Sequence, residues 1–425
     1  MPPRTTDGPK TTPRPSASGA FASRAAGRNP LPAPELLEAV RVRLARTGAE
    51  PTAAQVATAL RAERAVLGDA EILAIARALR ADLIGAGPLE GLLSEPGVTD
   101  VLVNGPNQVW VDDGGGLRRV PLAFFSDDEV RRLAQRLAAA AGRRLDDASP
   151  YVDARLSGGV RLHAVLPPIA PEGTCLSLRL PPRRTFTIEE LAPPAGAAVL
   201  RAILAARLAF LVTGGTGTGK TTMLSALLSE TDSRDRLLLV EDSAELRPDH
   251  PHVVRLEARP PNLEGVGAVS LRDLVRQALR MRPDRLVVGE VRGPEVAALL
   301  AALNTGHEGG CGTLHANTAA DVPPRVEALG CAAGLSREAV HSQLAAAIDV
   351  VIHLARDPAG GRRRIAEICL LDRDHSGLVH AIPALTFGST GQDATPGPAL
   401  PMLTARCPSL SHLQEAVTAQ KRSAR

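Results

Sequence analysis

The sequence predicts an α/β fold, a mostly parallel sheet with helices on both faces, preceded by a smaller α+β domain. Two observations lead to this prediction. Beyond residue 195, short apolar strands alternate with helical segments, which is typical of repeated strand–helix units. Before residue 181, apolar strands flank turn residues and accompany an amphipathic helix. A chain of 425 residues is long enough for both domains.

The amino-terminal part divides into a polar tail and a folded domain. Residues 1–33 are rich in Pro, Ser, Thr, Gly and Arg, and we expect disorder because they hold too little apolar surface to bury. The domain is predicted over residues 34–180. Its predicted helices begin near Pro34 and cover Asp69–Leu83 and 126–141; its predicted strands are Val101–Val103, Val109–Val111, Val160–Val165 and Cys175–Leu180. Asn104–Asn107 predicts a hairpin between the first two strands.

A linker is predicted at residues 181–195 and the second domain at 196–385. Its predicted strands are Leu208–Val212, Leu237–Val240, Val253–Leu256, Leu286–Val288, Gly312–His315, Val350–Leu354 and Ile365–Leu371. Its predicted helices are Lys220–Leu228, Leu271–Met281 and Glu295–Leu303, with two more after His315. Residues 386–425 return to Pro, Gly, Thr and Ser and are predicted to be a second disordered tail.

Composition excludes several functional classes. A net charge of +3 and 2% aromatic residues offer neither a basic stripe nor stacking platforms, so we expect no direct sequence-specific nucleic-acid binding. The amino terminus lacks the apolar core of a signal peptide, and no apolar run approaches the roughly 18 residues of a transmembrane helix. The five cysteines are widely scattered, as expected for reduced thiols. We therefore expect a cytoplasmic protein that meets a membrane through a partner.

One lysine differs from all the other basic residues. All but three of the 49 are arginine, and Lys220 is the only lysine outside the predicted tails. It stands in the pattern G-x-x-x-x-G-K-T between an apolar strand and a helix, where backbone N–H groups and the helix N-terminus bind phosphates. We expect Lys220 between the β- and γ-phosphates and the Thr221 hydroxyl on Mg²⁺. The predicted nucleotide-binding residues are Gly214, Gly215, Thr216, Gly217, Thr218, Gly219, Lys220, Thr221 and Thr222.

Two further apolar strands end in acidic residues. Glu290 follows Leu286–Gly289, a Walker B pattern in which the acid holds Mg²⁺ or activates the attacking water. Glu241 and Asp242 follow the strand that ends at Val240. Because parallel strands present their carboxyl ends to one ligand crevice, Glu241 or Asp242 is expected to reach the metal shell. Helix capping is the alternative role for Asp242.

Histidine and arginine complete the predicted site. His315 ends a strand of the same sheet, where it can sense the γ-phosphate; a zinc site is disfavoured because no cysteine pair lies near it. Arg155, Arg161 and Arg179 precede the linker. One interpretation is that these arginines are surface charges. The other is that their domain folds over the nucleotide, so that an arginine stabilises the charge of the transition state.

Six segments together resemble secretion ATPases of the TadA/CpaF type, within the type II/type IV secretion NTPase superfamily. The resemblance extends over about residues 80–373. The matching segments are GPLEGLLSEPGVTDVLVNGPNQVWV and RLHAVLPPIAPEGTCLSLR in the first domain, and GGTGTGKTT, VEDSAEL, RMRPDRLVVGEVRGPE and TGHEGGCGTLHANT in the second. They are similar to the family's amino-terminal signature, arginine segment, Walker A, Asp box, Walker B and His box. Glycine before the Walker B glutamate is normal in that family.

The resemblance implies a RecA-like P-loop core behind a smaller, PAS-like α+β domain. It further implies a homo-hexameric, Mg²⁺-dependent ATPase at the inner face of the cytoplasmic membrane. There it would power pilus assembly, conjugal transfer or secretion through an inner-membrane platform protein. Catalytic roles are implied for Glu290, Lys220, Glu241, His315, Arg161 and Arg179, and metal ligation for Thr221, Glu241 and Glu290.

Two other functional classes compete with an ATP-driven motor. A nucleotide-gated scaffold with little turnover would not need the complete set of Glu290, His315 and the arginines. A DNA translocase would need the basic and aromatic surface that this composition lacks. ATP as the nucleotide is implied by the resemblance alone.

Overall fold

The computed structural model describes residues 39–40, 42–43, 52–63, 68, 71–73, 75–76, 85–181, 184–261, 265–357, 361, 363–391 and 393–410. The chain divides into two compact units, Met1–Glu90 and Gly91–Arg425. In the first unit, helix α1 (Ala53–Ala62) begins after Thr52, whose hydroxyl accepts a hydrogen bond from the Gln55 backbone in a capping box. The predicted tail 1–33 and most of the helices predicted near Pro34 and over 69–83 lie outside the described residues.

The second unit begins with a six-stranded antiparallel sheet. Its spatial order is β3-β2-β1-β6-β5-β4. The strands are β1 (Asp100–Asn104), β2 (Val109–Asp112), β3 (Leu117–Val120), β4 (Tyr151–Arg155), β5 (Arg161–Val165) and β6 (Cys175–Arg179). The predicted hairpin is confirmed, because Val101 pairs with Val111 and Val103 with Val109. β3 and β4 were not predicted, because they have few buried apolar residues.

One helix covers the buried face of this sheet. After the short α2 (Glu90–Ser94), α3 (Asp127–Ala140) buries Val130, Leu133 and Leu137, as its apolar spacing predicts. Opposite it, alternate residues such as Leu162 and Leu178 are fully buried. The alternation leaves the intervening side chains, including arginines, on the other face.

A nine-stranded mixed sheet forms the larger part of the second unit. Its order is β15-β14-β13-β12-β7-β11-β10-β8-β9. The strands are β7 (Phe210–Gly214), β8 (Leu237–Glu241), β9 (Val253–Glu257), β10 (Arg285–Val291), β11 (Cys311–His315), β12 (Val350–Arg356), β13 (Arg363–Arg373), β14 (Val379–Phe387) and β15 (Ala394–Pro396). The six strands from β12 to β9 are parallel, and β13, β14 and β15 extend the sheet antiparallel.

Helices cover both faces of this sheet, as predicted. On one face, the core includes residues of α4 (Ile188–Leu191), α5 (Pro194–Ala205), α6 (Lys220–Ser229) and α11 (Leu400–Arg406). On the other face, it includes residues of α7 (Leu271–Ala278), α8 (Glu295–Leu303), α9 (Val322–Ala332) and α10 (Arg337–Ala347). The inner strands are buried on both sides, which explains their nearly continuous apolar runs.

Two segments differ from their predictions. Ile188, inside the predicted linker 181–195, is fully buried in the core of the large sheet. Beyond residue 385, β14 continues to Phe387, and β15 and α11 follow, so the predicted disorder of residues 386–425 is wrong for residues 386–391 and 393–410. Leu400, Leu403 and Leu410 bury against the sheet, and these few leucines are hidden in a composition dominated by Pro, Gly and Thr. Residues 411–425 lie outside the described part.

Candidate nucleotide-binding site

The predicted phosphate loop lies between β7 and α6, as the sequence motif requires. Gly214 has a φ of 148°, and a Cβ there would lie 2.5 Å from the Leu354 carbonyl oxygen of neighbouring β12. Gly219, at φ 94°, is the N-cap of α6. Only glycine combines this backbone conformation with so close an approach, so the loop can direct its N–H groups inward.

Lys220 is buried at the centre of this loop. Lys220 is only 8% exposed. Its Nζ donates to the carbonyl oxygens of Gly214 at 3.1 Å and Gly215 at 2.9 Å. Nζ also lies 3.3 Å from Nδ1 of His315. Burial lowers the pKa of Lys220, with Glu290 opposing that effect. The ammonium group is thus held against backbone oxygens that phosphate oxygens can replace.

Glu241 ends β8 and is almost completely buried. Its Oε1 accepts hydrogen bonds from the backbone N–H groups of Glu245 and Leu246, both at 2.9 Å. Burial raises its pKa to about 7, although those two hydrogen bonds act in the opposite direction. Burial also raises the pKa of the adjacent Asp242. A carboxylate in such a position favours a cation or a proton.

A β-bulge positions Glu290. In β10, Val288 pairs with Gly312 of β11, but Val291 pairs with Leu314, so β10 contains one extra residue. The Thr313 hydroxyl donates to the Gly289 carbonyl at 2.6 Å and fixes the irregular segment. The strand was predicted to end before Glu290, whereas it continues to Val291. Bulges reorient side chains beside functional sites, and here the reoriented side chain is an acid.

Three cationic or titratable groups surround the Glu290 carboxylate. Arg292 donates to Oε2, and His315 Nε2 lies 2.8 Å from Oε1. Burial by itself would raise the pKa of Glu290, but the Arg292 hydrogen bond and the charges of Arg292 and Lys220 lower it. Burial, together with Lys220, lowers the pKa of His315. The favoured state at neutral pH is an ionised Glu290 beside a neutral imidazole.

The two acids Glu241 and Glu290 line one open cleft together with Arg292. The lining residues come from the first sheet and from three segments of the second: Arg161, Thr221, Glu241, Asp242, Ser243, Glu245, Gly289, Glu290 and Arg292. The predicted acids therefore share a single site with the Thr221 hydroxyl of α6 and with Arg161. Arg179 is not among the lining residues.

The donor set of the cleft suits a magnesium ion. Glu241 Oε2 and Glu290 Oε1 are buried, and within the described residues neither has a hydrogen-bond partner; His315 is near Oε1 but outside hydrogen-bond geometry. Carboxylate and hydroxyl oxygens are ligands that Mg²⁺ prefers, with substrate phosphates supplying others. No group of three or more His, Cys, Asp or Glu side chains in the described part could hold a metal alone. Thr221, Glu241 and Glu290 therefore fit a metal that arrives with phosphate.

The three predicted arginines form one row across the first sheet. Arg155 pairs with Arg161 across β4 and β5, and Arg161 with Arg179 across β5 and β6. Paired residues of antiparallel strands place their side chains on the same face. Arg155 is held by Glu257 of β9 at 2.5 Å, and Arg161 by Asp153 at 2.6 Å. Arg179 is exposed and has no ion pair within the described residues.

Arg292 and Thr313 were not predicted as site residues, and neither were the lining residues Ser243 and Glu245. Arg292 lies two positions after Glu290 in the Walker B segment. The sequence therefore shows that the two residues are near each other along the chain, but not that their side chains touch. Glu295 positions Arg292 by accepting hydrogen bonds from the backbone of Arg292 and Gly293. Thr313 acts through the neighbouring strand, a relationship that no local pattern encodes.

Comparison with known proteins gives one consistent result. The profile of the family described as "Type II/IV secretion system protein" matches residues 82–383. A putative conjugal transfer protein of Mycobacterium tuberculosis is 60% identical over 328 residues, covering 75% of this chain and 93% of that protein. The type IV secretion system protein PtlH of Bordetella pertussis is 33% identical over 315 residues, covering 66% and 92%.

A solved structure supports the fold. The crystal structure of the pilus retraction motor PilT with bound ADP aligns with a TM-score of 0.50 at 23% identity, covering 68% of this chain and 83% of that one. At that identity, the likeness establishes the fold alone. The RecA-like core predicted from the sequence is confirmed, and the PAS-like character of the first sheet stays a prediction.

Proposed function

This chain belongs to the type II/IV secretion system protein family, and we propose that it is an Mg²⁺-dependent ATPase that drives a secretion, pilus or conjugation machine. The observation that carries the proposal is the convergence of Thr221, Glu241 and Glu290 on one cleft, with Lys220 reaching Glu290 through His315. Within the described residues, a carboxylate oxygen of each acid is left without a hydrogen bond. A scaffold that only senses nucleotide has no need of a reoriented, ionised Glu290.

In the proposed reaction, phosphate binding displaces the internal partners of Lys220. Its Nζ would exchange the carbonyl oxygens of Gly214 and Gly215 for oxygens of the β- and γ-phosphates. A magnesium ion held by Thr221, Glu241 and Glu290 would supply charge neutralisation for the phosphates. Because the lysine is already positioned, little reorganisation accompanies binding.

Glu290 is the proposed acceptor of the proton from the attacking water. As water oxygen bonds to the γ-phosphorus, the bond to the β–γ bridging oxygen breaks and ADP leaves. The lowered pKa keeps Glu290 ionised and able to accept at neutral pH. His315, mainly neutral and between Lys220 and Glu290, would orient the γ-phosphate or the water.

The arginine row joins the first sheet to the same chemistry. Arg161 already lines the cleft, and Arg179 lies beside it in the sheet. Guanidinium groups stabilise charge that develops on the transferred phosphoryl group. Nucleotide binding and release would then pull and relax the first sheet against the second. The hexameric ring and the inner-membrane platform partner implied by the sequence resemblance are part of this proposal. No helix in the described residues is long and apolar enough to cross a membrane.

The test is phosphate release from purified full-length protein with Mg-ATP, with molecular mass measured in the same buffer. Wild type should turn over as a six-subunit species. Glu290→Gln should bind ATP and lose nearly all turnover, whereas Lys220→Ala should lose binding itself. Wild-type turnover in Glu290→Gln would refute the role of Glu290. A folded ring that binds ATP without turnover would favour the scaffold.

A further inference from the structure

The strand order separates the two ends of a bound nucleotide. β7, which leads into the phosphate loop, is flanked by β11 on one side and β12 on the other. His315, Glu290 and Glu241 all lie on the β11 side, on β11, β10 and β8. A triphosphate whose γ-phosphate meets these residues must direct its nucleoside end away from them. The nearest elements there are the ends of β12 and β13.

Two arginines of the β12–β13 hairpin lie beside the phosphate loop. A Cβ built on Gly217 would lie 3.6 Å from Arg356 Nη1, and one on Gly219 would lie 3.4 Å from Arg363 Cδ. Arg356 ends β12 and pairs in register with Arg363, the first residue of β13. The two side chains therefore form one wall beside two glycines of the loop.

The charge of this wall is not balanced by acids. Arg356 and Arg363 are both exposed, and within the described residues neither has an acidic partner; Arg356 donates only to the Gly361 carbonyl. The neighbouring Arg364 shows the ordinary arrangement, because it pairs with Asp357 at 3.3 Å. Two uncompensated guanidinium groups next to a phosphate loop attract an anion carrying a flat aromatic ring.

We propose that Arg356 and Arg363 form the subsite for the nucleoside half of the nucleotide, with the guanidinium planes stacking on a purine ring. The inference rests on the proposed function, because it assumes that a nucleotide occupies the loop. It adds a binding role for the β12–β13 hairpin that the phosphate motifs do not provide. The predicted consequence is that these arginines contribute to nucleoside binding and not to polyphosphate binding.

The chain offers a matched control at the opposite edge of the sheet. Arg373 is an exposed arginine at the other end of β13, and its Nε donates to the Gly377 carbonyl as Arg356 does to Gly361. Arg373→Ala removes a hairpin arginine of the same kind, far from the phosphate loop. Full-length Arg356→Ala/Arg363→Ala, each single variant, Arg373→Ala and wild type are compared by titration calorimetry with Mg-ADP and with Mg-tripolyphosphate.

The expected result is that the double variant binds ADP about tenfold more weakly, with each single variant in between. Its tripolyphosphate affinity and its thermal midpoint should match wild type and Arg373→Ala. Unchanged ADP affinity would overturn the inference, and so would an equal loss for ADP and tripolyphosphate, since that loss would place the arginines on the phosphates. If wild type bound neither ADP nor tripolyphosphate, or if Lys220→Ala bound them as tightly as wild type, the proposed function itself would fail.

Discussion

The Glu241 side chain occupies the space that a side chain at Gly289 would need. A Cβ on Gly289 would lie 2.6 Å from Cγ of Glu241, because the two residues are neighbours on the paired strands β10 and β8. Atoms of folded proteins do not approach so closely without rearrangement. The glycine at a position where an aspartate often stands therefore makes room for an acid from the next strand. The second acid, Glu290, enters the cleft through the bulge one residue later.

Replacing this glycine should disable the site with limited damage to the fold. Gly289→Ala should displace Glu241, cost about 1–3 kcal/mol of stability through overpacking, and strongly reduce turnover. The matched control is Gly388→Ala, since a Cβ on Gly388 meets nothing within 4 Å. Thermal unfolding and phosphate release measure both effects. Full activity in Gly289→Ala would mean that Glu241 is not needed where it lies.

Removing Arg292 should shift the pH dependence of catalysis. Arg292 is the main group that lowers the pKa of Glu290 against burial, so its loss raises that pKa. Glu290 must be ionised to accept a proton, and the acidic limb of the kcat profile should move to higher pH in Arg292→Ala. Arg292→Lys should shift it less because the charge remains. A uniform loss of rate without displacement of the limb would contradict the electrostatic role.

Arg179 should matter more for turnover than its lack of contacts suggests. It neighbours Arg161 in the sheet and, within the described residues, has no ion pair to break before it reaches a phosphate. Arg179→Ala should lower kcat at least about tenfold while mass and ADP affinity stay unchanged. Arg118→Ala, an exposed arginine on β3 of the same sheet, is the control. Equal kcat in both variants would leave Arg179 a surface charge.

Stability should fall in mild acid because of His353. His353 is 5% exposed, and its Nδ1 lies 3.0 Å from the Thr213 hydroxyl. Burial lowers the pKa of His353, although a hydrogen bond to the Asn317 backbone acts in the opposite direction. A histidine with a lowered folded pKa stabilises above its ordinary value near pH 6.5 and loses that contribution as pH falls below it. The thermal midpoint without nucleotide should drop between pH 7.5 and 5.5, and less so in His353→Gln. Parallel curves for the two proteins would rule out His353 as the cause.

Much of the molecule is predictable from sequence because its signals are local. The α3 stripe, the first hairpin and the alternation of apolar strands with helices each follow from residue spacing within one element. Three of the elements that were not predicted, β3, β4 and α11, lack such a signal. β3 and β4 expose most of their residues, and α11 holds two buried leucines within a polar segment.

The phosphate loop, the acids after β8 and in β10, and the arginine segment could be predicted from the sequence, because each depends on residue type within a few positions. Which of these groups touch could be seen only after the strands were placed in space. The tertiary structure places Glu241 against Gly289, Arg292 on Glu290, Asp153 on Arg161, and Arg356 beside Gly217. Most of these contacts join residues from different strands, and strand order and register are set by packing of the whole sheet.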